Sequence, residues 1–188
     1  MLKNNSSGKG RDSTFGKGKD STFVEQAFKI SRVNKVTTGG KRLAFRAFVI
    51  VGDKNGRVGI GVGKSKEVPV AIKKGIDRAK KSLLIVNIVN GTLPHEVLGE
   101  FGAAKVLLKP AKPGTGVIAG GSVRILLESA GFKDVVAKCL GGSNTINNAK
   151  AAIEGLKTLR DYNEQVKLRG KRFSVTIKES KKETVKNG

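Results

Sequence analysis

The sequence contains very few of the residues that build metal, disulfide and covalent catalytic sites. Among its 188 residues there are one Cys, one His and no Trp. A single Cys excludes an intramolecular disulfide, and Cys139 together with His95 cannot supply the ligands of a zinc site. Cys139 also lies in an apolar alternating segment, where a buried, unreactive thiol is expected. The sequence therefore predicts a chain that needs no metal and no other cofactor.

Long apolar runs are missing as well. No segment reaches the ~18 apolar residues of a membrane-spanning helix, and no basic amphipathic stretch carries Trp anchors. The N-terminal residues, MLKNN, lack the apolar core of a secretion signal. These absences predict a protein that associates with no membrane and works in the compartment where it is made.

Positive charge is what the chain has in excess. It carries 37 Lys and Arg against 15 Asp and Glu, which gives a formal net charge of +22 and a pI near 10.4. Nucleic acid is the expected partner, because Lys and Arg that neutralise phosphates release condensed counterions. The hydrophobic content of 38% is modest, and the length suits one medium domain or two small ones. We expect two small cores.

The two ends of the chain differ in composition from its middle. Residues 1–23 contain an octapeptide repeat, GKGRDSTF followed by GKGKDSTF. Their Gly, Ser and Lys content predicts a basic disordered tail. Residues 166–188 predict a basic C-terminal extension, in which residues 172–177 can form a short strand.

Three antiparallel strands are predicted after the tail. Extended runs at residues 28–36 and 42–51 flank a glycine turn, which is typical of a hairpin. The Asn55-Gly56 pair suits left-handed turn geometry and leads into residues 57–63, which alternate with a period of two.

A helix with a basic outer face is predicted to complete this RNA-binding α/β domain, residues 24–90. Pro69 lies where the first helical turn tolerates proline. At about 100° per residue, the side chains expected to face the core are Ile72, Ile76, Ala79 and Leu83. The opposite face carries Lys73, Lys74, Arg78, Lys80 and Lys81, which can contact phosphates or form a solvated surface.

Residues 91–165 predict a second α/β domain, so the fold class is α+β. Its elements, in order, are a strand at 104–108, a helix at 121–130 that ends before Gly131, a strand at 134–140, and a helix capped by Ser143 or Asn144. We expect two lobes of mixed α+β structure.

Two glycine motifs imitate nucleotide-binding loops, but their contexts differ. Residues 63–65, GKS, resemble the end of a phosphate loop, which requires Gly where Val58 stands. The glycines around that motif share one face of a strand, which favours close approach of another backbone or of RNA. Residues 114–119 imitate a dinucleotide fingerprint, yet Pro110 and Pro113 occupy the intended strand-to-helix turn. The nucleotide-binding interpretation is disfavoured at both motifs.

No catalytic constellation is visible in the rest of the sequence. His95 has no second His, and Glu96 and Glu100 are expected to be solvated loop carboxylates, because Gly99 and Gly102 disfavour a helix there. The chain is predicted not to be an enzyme.

Four linked segments resemble a known family. They are residues 39–42 (GGKR), 51–59 (VGDKNGRVG), 63–69 (GKSKEVP) and 114–124 (GTGVIAGGSVR). From about residue 24 to residue 159, the chain resembles the small-subunit ribosomal protein five family. The resemblance implies an N-terminal domain similar to a double-stranded-RNA-binding fold. It also implies a C-terminal β-α-β-α domain with a left-handed crossover.

The resemblance also implies a function. The family binds small-subunit ribosomal RNA during assembly, helps to line the messenger RNA entry channel, and influences decoding fidelity through contact with ribosomal protein four. It also contacts ribosomal protein eight. The expected location is the ribosome, either in bacterial cytoplasm or in plastid stroma, and the sequence leaves both open.

Candidate site residues follow from charge and from this resemblance. The predicted RNA-binding residues are Gly39, Gly40, Lys41, Arg42, Arg46, Arg57, Lys64, Lys66 and Lys112. By the resemblance, residues 39–42 form the loop that reaches toward the head of the subunit and borders the spectinomycin site. Gly116 and Arg124 match positions at the interface with protein four, although Arg124 can alternatively pair with RNA.

Two other functions compete with a ribosomal role. One is a small phosphotransferase of the sugar-kinase type, whose fold the family's C-terminal domain resembles. The missing catalytic carboxylates and the short chain argue against it. The other is a free double-stranded-RNA-binding module that acts outside the ribosome.

Overall fold

The structure is a computed structural model that describes residues 23–160 and 162–169. The predicted tail, apart from its last residue, and the short strand suggested at residues 172–177 lie outside the described residues. The described part consists of two sheets with helices, which confirms the α+β class. None of its helices is long and apolar enough to cross a membrane.

The first sheet contains the three predicted antiparallel strands and a short fourth one. The strands β1 (Val24–Thr37), β2 (Gly40–Gly52), β3 (Arg57–Ser65) and β4 (Leu84–Ile85) lie in the order β1-β2-β3-β4. The first two strands are longer than predicted and are joined by only two residues. The second of these, Gly39, has φ +89°, which glycine adopts without strain.

The turn between β2 and β3 is formed differently from the prediction. The residues with left-handed backbone are Lys54 (φ 59°) and Gly56 (φ 92°), whereas Asn55 is not among them. The carboxylate of Asp53 determines this geometry, since its Oδ1 accepts hydrogen bonds from the backbone N–H of Asn55 (2.7 Å) and of Arg57 (2.9 Å). Only the glycine of the predicted pair therefore takes the expected conformation.

Helix α1 (Val68–Lys81) begins where Pro69 predicted, but its innermost side is made of small residues. Ala71, Gly75 and Ala79 are buried, while Ile72 and Ile76 are only half-buried. The predicted core face was therefore partly wrong, because it followed the large apolar side chains.

The glycines of β3 explain why the small residues of α1 face inward. A Cβ atom placed on Gly61 would lie 2.0 Å from the backbone oxygen of Gly75, and one on Gly63 would lie 1.8 Å from that of Ala71. The helix backbone thus lies directly against the strand backbone. This contact confirms that the glycines permit close backbone approach and leaves no phosphate loop at residues 63–65.

The second sheet has four strands, two of which the sequence did not reveal. The strands β5 (Val97–Phe101), β6 (Ala104–Pro110), β7 (Val117–Ile118) and β8 (Val135–Cys139) lie in the order β5-β6-β8-β7. Glu100 therefore lies on a strand and not in a loop, and its carboxylate pairs with Lys105 across the hairpin at 2.8 Å.

Three helices accompany this sheet: α2 (Gly121–Ala130), α3 (Thr145–Lys157) and α4 (Tyr162–Arg169). The bounds of α2 match the prediction, and Gly131 ends it with φ +103°. Asn144, not Ser143, caps α3, because its side chain accepts a hydrogen bond from the N–H of Ile146. Since β7 and β8 are parallel neighbours joined through α2, they form the β-α-β unit of this domain.

The larger hydrophobic core spans both sheets. It joins Phe48 and Ile50 of β2 to Val123 and Leu126 of α2, and Phe28 packs edge-to-face on Phe48 at 6.3 Å. A smaller core lies between the opposite face of the first sheet and α1. The described residues thus contain two cores, as expected, but the larger one is shared by both sheets because helices cover both faces of the first sheet.

The turn after β2 fastens the two domains together. Lys54 N–H donates to the carbonyl of Ser129 (3.0 Å), and Gly56 N–H donates to the carbonyl of Ala130 (2.8 Å). These carbonyls belong to the last turn of α2, which lacks partners within its own helix. The first sheet thus completes the hydrogen bonds of a helix in the second domain.

Candidate nucleic-acid interface

The register of the first sheet places cations on one face. Lys35 of β1 lies directly opposite Arg42 of β2, and Arg46 of β2 lies directly opposite Lys64 of β3. Residues directly opposite each other share a face, and alternate residues along a strand do too. Lys29, which is opposite Phe48, therefore belongs to the same face. We call these five residues the basic sheet face.

The basic sheet face has no acidic partner. None of its five cations forms an ion pair within the described residues, although carboxylates elsewhere pair with Lys105, Lys109 and Lys157. Like charges directly opposite each other destabilise a sheet. The free protein therefore holds a surface of unneutralised positive charge, which suits a polyanion.

The same face is apolar where it meets the second domain. Phe48 and Ile50 continue the row of Arg42 and Arg46 along β2, and they are buried against the second domain, including α2. Along β2, the exposed cations thus begin beyond the part of the sheet that α2 covers. The basic sheet face therefore borders directly on the second domain.

The outer part of the hairpin has no third strand. β3 pairs with β2 only as far as Phe45, so residues 33–44 form a two-stranded ribbon with both faces accessible. Its second face exposes Val36 (72%) and Leu43 (54%). A two-stranded ribbon is marginally stable alone in water, which favours a partner that covers it.

The tip of the ribbon is open. A Cβ atom on Gly39 or Gly40 would meet nothing within 4 Å. Lys41 and Arg42 are consecutive, so they point to opposite faces of the ribbon, and Lys41 lies opposite Val36. Residues 39–42 therefore present an accessible backbone at the tip, and their two cations extend to opposite faces of the ribbon.

The predicted RNA-binding residues do not form one surface. The structure brings Arg42, Arg46 and Lys64 together, but Arg57 lies at the other end of β3, with its Nε 3.9 Å from Asp53 Oδ2. Lys66 follows β3 directly. Lys112 lies in the loop between β6 and β7 in the other domain, and its side chain is exposed.

Two cations of the basic sheet face were missed from the sequence. Lys29 and Lys35 lie on β1, and their place on this face follows only from the register. The sequence could have revealed them, because a two-residue turn at Thr38-Gly39 determines which residues of β1 and β2 lie opposite each other. The predicted turn was longer, spanning residues 37–41, and it therefore implied a different register.

The outer surface of α1 is only partly available. Lys73, Lys74 and Lys81 are exposed. Arg78, in contrast, donates from Nη1 to the carbonyl of Val62 (2.5 Å), and Lys80 pairs with a glutamate of β1 at 2.9 Å. The predicted basic helix face thus divides into exposed cations and cations that hold the helix to the sheet.

Gly116 and Arg124 have defined local roles. Gly116 has φ +75° and donates its N–H to Asp134 Oδ1 (2.9 Å), and a Cβ atom there would meet nothing within 4 Å. Glycine is therefore favoured at this position by its positive φ and not by crowding from neighbouring atoms of the chain. The exposed guanidinium of Arg124 pairs through Nε with Glu128 Oε1 at 2.7 Å, one turn along α2.

The single His and Cys have structural surroundings. His95 Nε2 accepts the N–H of Arg160 (3.2 Å), and its Nδ1 lies 3.0 Å from the carbonyl of Glu96, so the ring joins two backbone segments. Cys139 is half-buried. Within the residues that the structure describes, no group of three His, Cys, Asp or Glu side chains is placed to hold a metal ion.

Comparison with known proteins gives two family matches. The model of ribosomal protein S5, N-terminal domain, matches residues 23–87, and that of ribosomal protein S5, C-terminal domain, matches residues 99–169. The chain belongs to the ribosomal protein S5 family. Together the two matches cover all four helices of the described structure and both sheets except the first two residues of β5.

Curated relatives carry the same family name. Small ribosomal subunit protein uS5 of Syntrophobacter fumaroxidans is 53% identical over 148 residues, which are 79% of this chain and 89% of that protein. The protein of the same name from Thermotoga neapolitana is 52% identical over 155 residues, 82% of this chain and 85% of that protein. A third, from Thermotoga maritima, is 53% identical over 145 residues, 77% of this chain and 82% of that protein.

Membership of this family excludes an enzymatic function for the chain. The family is a structural, non-enzymatic constituent of the small ribosomal subunit. This confirms the resemblance found in the four sequence segments and the prediction that the chain is not an enzyme. The phosphotransferase interpretation is thereby excluded.

Proposed function

We propose that the chain binds small-subunit ribosomal RNA through the basic sheet face. The observation that carries this proposal is the pair of like-charge contacts, Lys35 with Arg42 and Arg46 with Lys64, in a face without carboxylates. A protein whose charge served only solubility would intersperse acidic and basic groups. RNA phosphates would attract each of these cations and so offset their mutual repulsion.

The ribbon formed by residues 33–44 would insert among folded RNA segments. Its two accessible faces and its open glycine tip allow contacts on both sides. Phosphate contacts hold such a protein, and the shape of the RNA positions it. The exposed Lys66 and Lys112 would add contacts at the edge of the sheet and from the second domain.

The finer ribosomal roles form part of the proposal. We infer that the chain supports subunit assembly, helps to line the messenger RNA entry channel, and contributes to decoding fidelity. Gly116 and Arg124 would belong to the contact with ribosomal protein four, and another surface would contact ribosomal protein eight. The curated relatives described above come from bacteria, which favours a ribosome of the bacterial cytoplasm over one of the plastid stroma.

Binding of the full chain to transcribed small-subunit ribosomal RNA tests this function. In the double variant Lys35→Gln with Arg42→Gln, the slope of log affinity against log salt should become shallower by about 1.5 to 2. The matched control is Lys105→Gln with Lys157→Gln, whose lysines are already paired with Glu100 and Glu154. The control should change the slope much less.

Two results would contradict the proposal. An unchanged slope in the first double variant would remove the basic sheet face from RNA binding. Failure of the wild-type chain to sediment with small subunits, despite tight RNA binding, would favour a free RNA-binding module instead.

A further inference from the structure

A small cavity lies between the basic sheet face and the second domain. Lys29, Ser31, Arg46 and Phe48 line it from the first sheet. Residues 144–146, at the start of α3, line it from the second domain. Its volume is about 40 Å³. Since one water needs ~10–15 Å³ on the same measure, about three oxygen-sized atoms fit.

The walls of this cavity favour an anion. Lys29 and Arg46 are cationic, Ser31 offers a hydroxyl, and none of the lining residues is acidic. Neither cation forms an ion pair within the described residues. Phe48 supplies an apolar wall, and electrostatic attraction is stronger beside apolar groups than in open water.

The start of α3 adds donors from the other domain. Its first turn contains no acidic residue, and Asn144 caps only the N–H of Ile146. The N–H of Thr145 is among the first four of α3, which have no acceptor within the helix, and it lies at the positive end of the helix dipole. This helix end supplements the two cations and the neutral hydroxyl of Ser31, which form the polar wall contributed by the first sheet.

We propose that the cavity seats one phosphate group of an RNA backbone, held by both domains at once. The inference rests on the proposed function and deepens it. Arg46 can present a bidentate fork to two phosphate oxygens, Lys29 a point charge, and the start of α3 backbone donors. The cavity volume of about 40 Å³ admits the two non-bridging oxygens of such a phosphate, and these three groups converge on it.

This phosphate site, which we call the seat, exists only while the two domains are docked. Lys29 and Arg46 come from the first sheet, and α3 comes from the second. The hydrogen bonds of Lys54 with Ser129 and of Gly56 with Ala130, together with the core shared by both sheets, hold that docking in the free protein. A phosphate in the seat therefore stabilises the docked arrangement by mass action, and the docked arrangement raises the affinity for RNA.

Amide chemical shifts of the full-length chain test the seat directly. A short RNA duplex, added to saturation, should shift the amide signals of Thr145 and Ile146. These shifts should be lost in Arg46→Gln and restored in part by Arg46→Lys. The matched control is Arg42→Gln, on the same strand and face but outside the cavity. This variant should bind RNA more weakly, but at saturating RNA it should keep the shifts at Thr145 and Ile146.

A second arm uses inorganic phosphate to separate the two sources of the same chemical group. Phosphate at millimolar concentration should shift the same two amides more weakly than RNA does. Shifts with inorganic phosphate and none with RNA would mean that the seat takes a free anion, which overturns the proposal. Equal loss of the shifts in Arg42→Gln and Arg46→Gln would also overturn it, because the effect would then come from the general field of the face.

The seat and the proposed function fail in different ways. If the wild-type chain binds ribosomal RNA and the amides of Thr145 and Ile146 do not move, the seat is refuted and the function stands. If the wild-type chain binds no ribosomal RNA, both are refuted. A well-dispersed amide spectrum of Arg46→Gln shows that the variant is folded.

Discussion

Neutralising one cation of the basic sheet face should change stability and RNA affinity in opposite directions. In Lys64→Gln, the directly opposite Arg46 loses a like-charged neighbour while the strand keeps a polar side chain of similar length. The contact between like charges costs a sheet ~0.2–1 kcal/mol. The free variant should therefore be more stable than the wild type by about that amount, which raises Tm by roughly 0.5–4 °C in a domain of this size.

The same substitution should weaken binding to RNA. Loss of one phosphate contact removes about 0.9 from the slope of log affinity against log salt for a duplex. If the variant and the wild type bind equally at 1 M salt, the variant should therefore bind approximately fivefold more weakly at ~0.15 M salt. If Lys64 served folding alone, its substitution would not raise stability while it lowered RNA affinity. Both changes together would therefore identify Lys64 as part of a binding surface.

Thermal unfolding at low and high salt, together with RNA titration, measures both effects. The gain in Tm should shrink at high salt, because exposed charges are screened over distances of about 3 Å at 1 M. Lys105→Gln is the control, since Lys105 pairs with Glu100 at 2.8 Å on the opposite strand. The control should not be stabilised. A destabilised Lys64→Gln, or one with unchanged RNA affinity, would refute the reasoning.

Three further substitutions test the packing and the proposed interface with protein four. Gly61→Ala should lower the free energy of unfolding by about 1–3 kcal/mol or more, measured by denaturant titration, because its Cβ would lie 2.0 Å from a helix carbonyl. Gly40→Ala, whose Cβ meets nothing within 4 Å, is its control and should be nearly neutral. Gly116→Asp must adopt φ +75° and should increase misreading by subunits that assemble at normal yield. Arg124→Leu should also increase misreading, whereas reduced assembly in this variant alone would favour an RNA contact.

Elements with a local signal were predicted well from the sequence. The bounds of α2 follow from a left-handed Gly131 at its end, and the predicted start of α1 follows from Pro69. Both signals act within one turn of helix and do not depend on the rest of the chain. The alternation of residues 57–63 likewise identified β3, because glycines that contact α1 alternate along it with larger apolar side chains that join the larger core.

Features that depend on distant contacts were not predicted. β7 contains two residues and exists through pairing with β8, so its sequence alone carries no strand pattern. The inner face of α1 contains Ala71 and Gly75 because β3 offers glycines there, and a search for large apolar side chains overlooks such a face. The cavity beside Arg46 requires the docking of two domains, which no local pattern encodes.

The candidate site shows the same limit in its charges. Its cations were chosen from the sequence mainly by their nearness to the hairpins, which does not reveal which of them lie beside a carboxylate. Arg57 was included although Asp53 lies four residues before it, and the structure pairs the two. Lys35 was omitted although it faces Arg42 across the ribbon. A net charge of +22 predicts a polyanionic partner, but only strand register shows where that charge is left without a counterion inside the protein. The register therefore locates the candidate interface, and the like-charge pairs Lys35–Arg42 and Arg46–Lys64 are the contacts at which the proposed function is most directly tested.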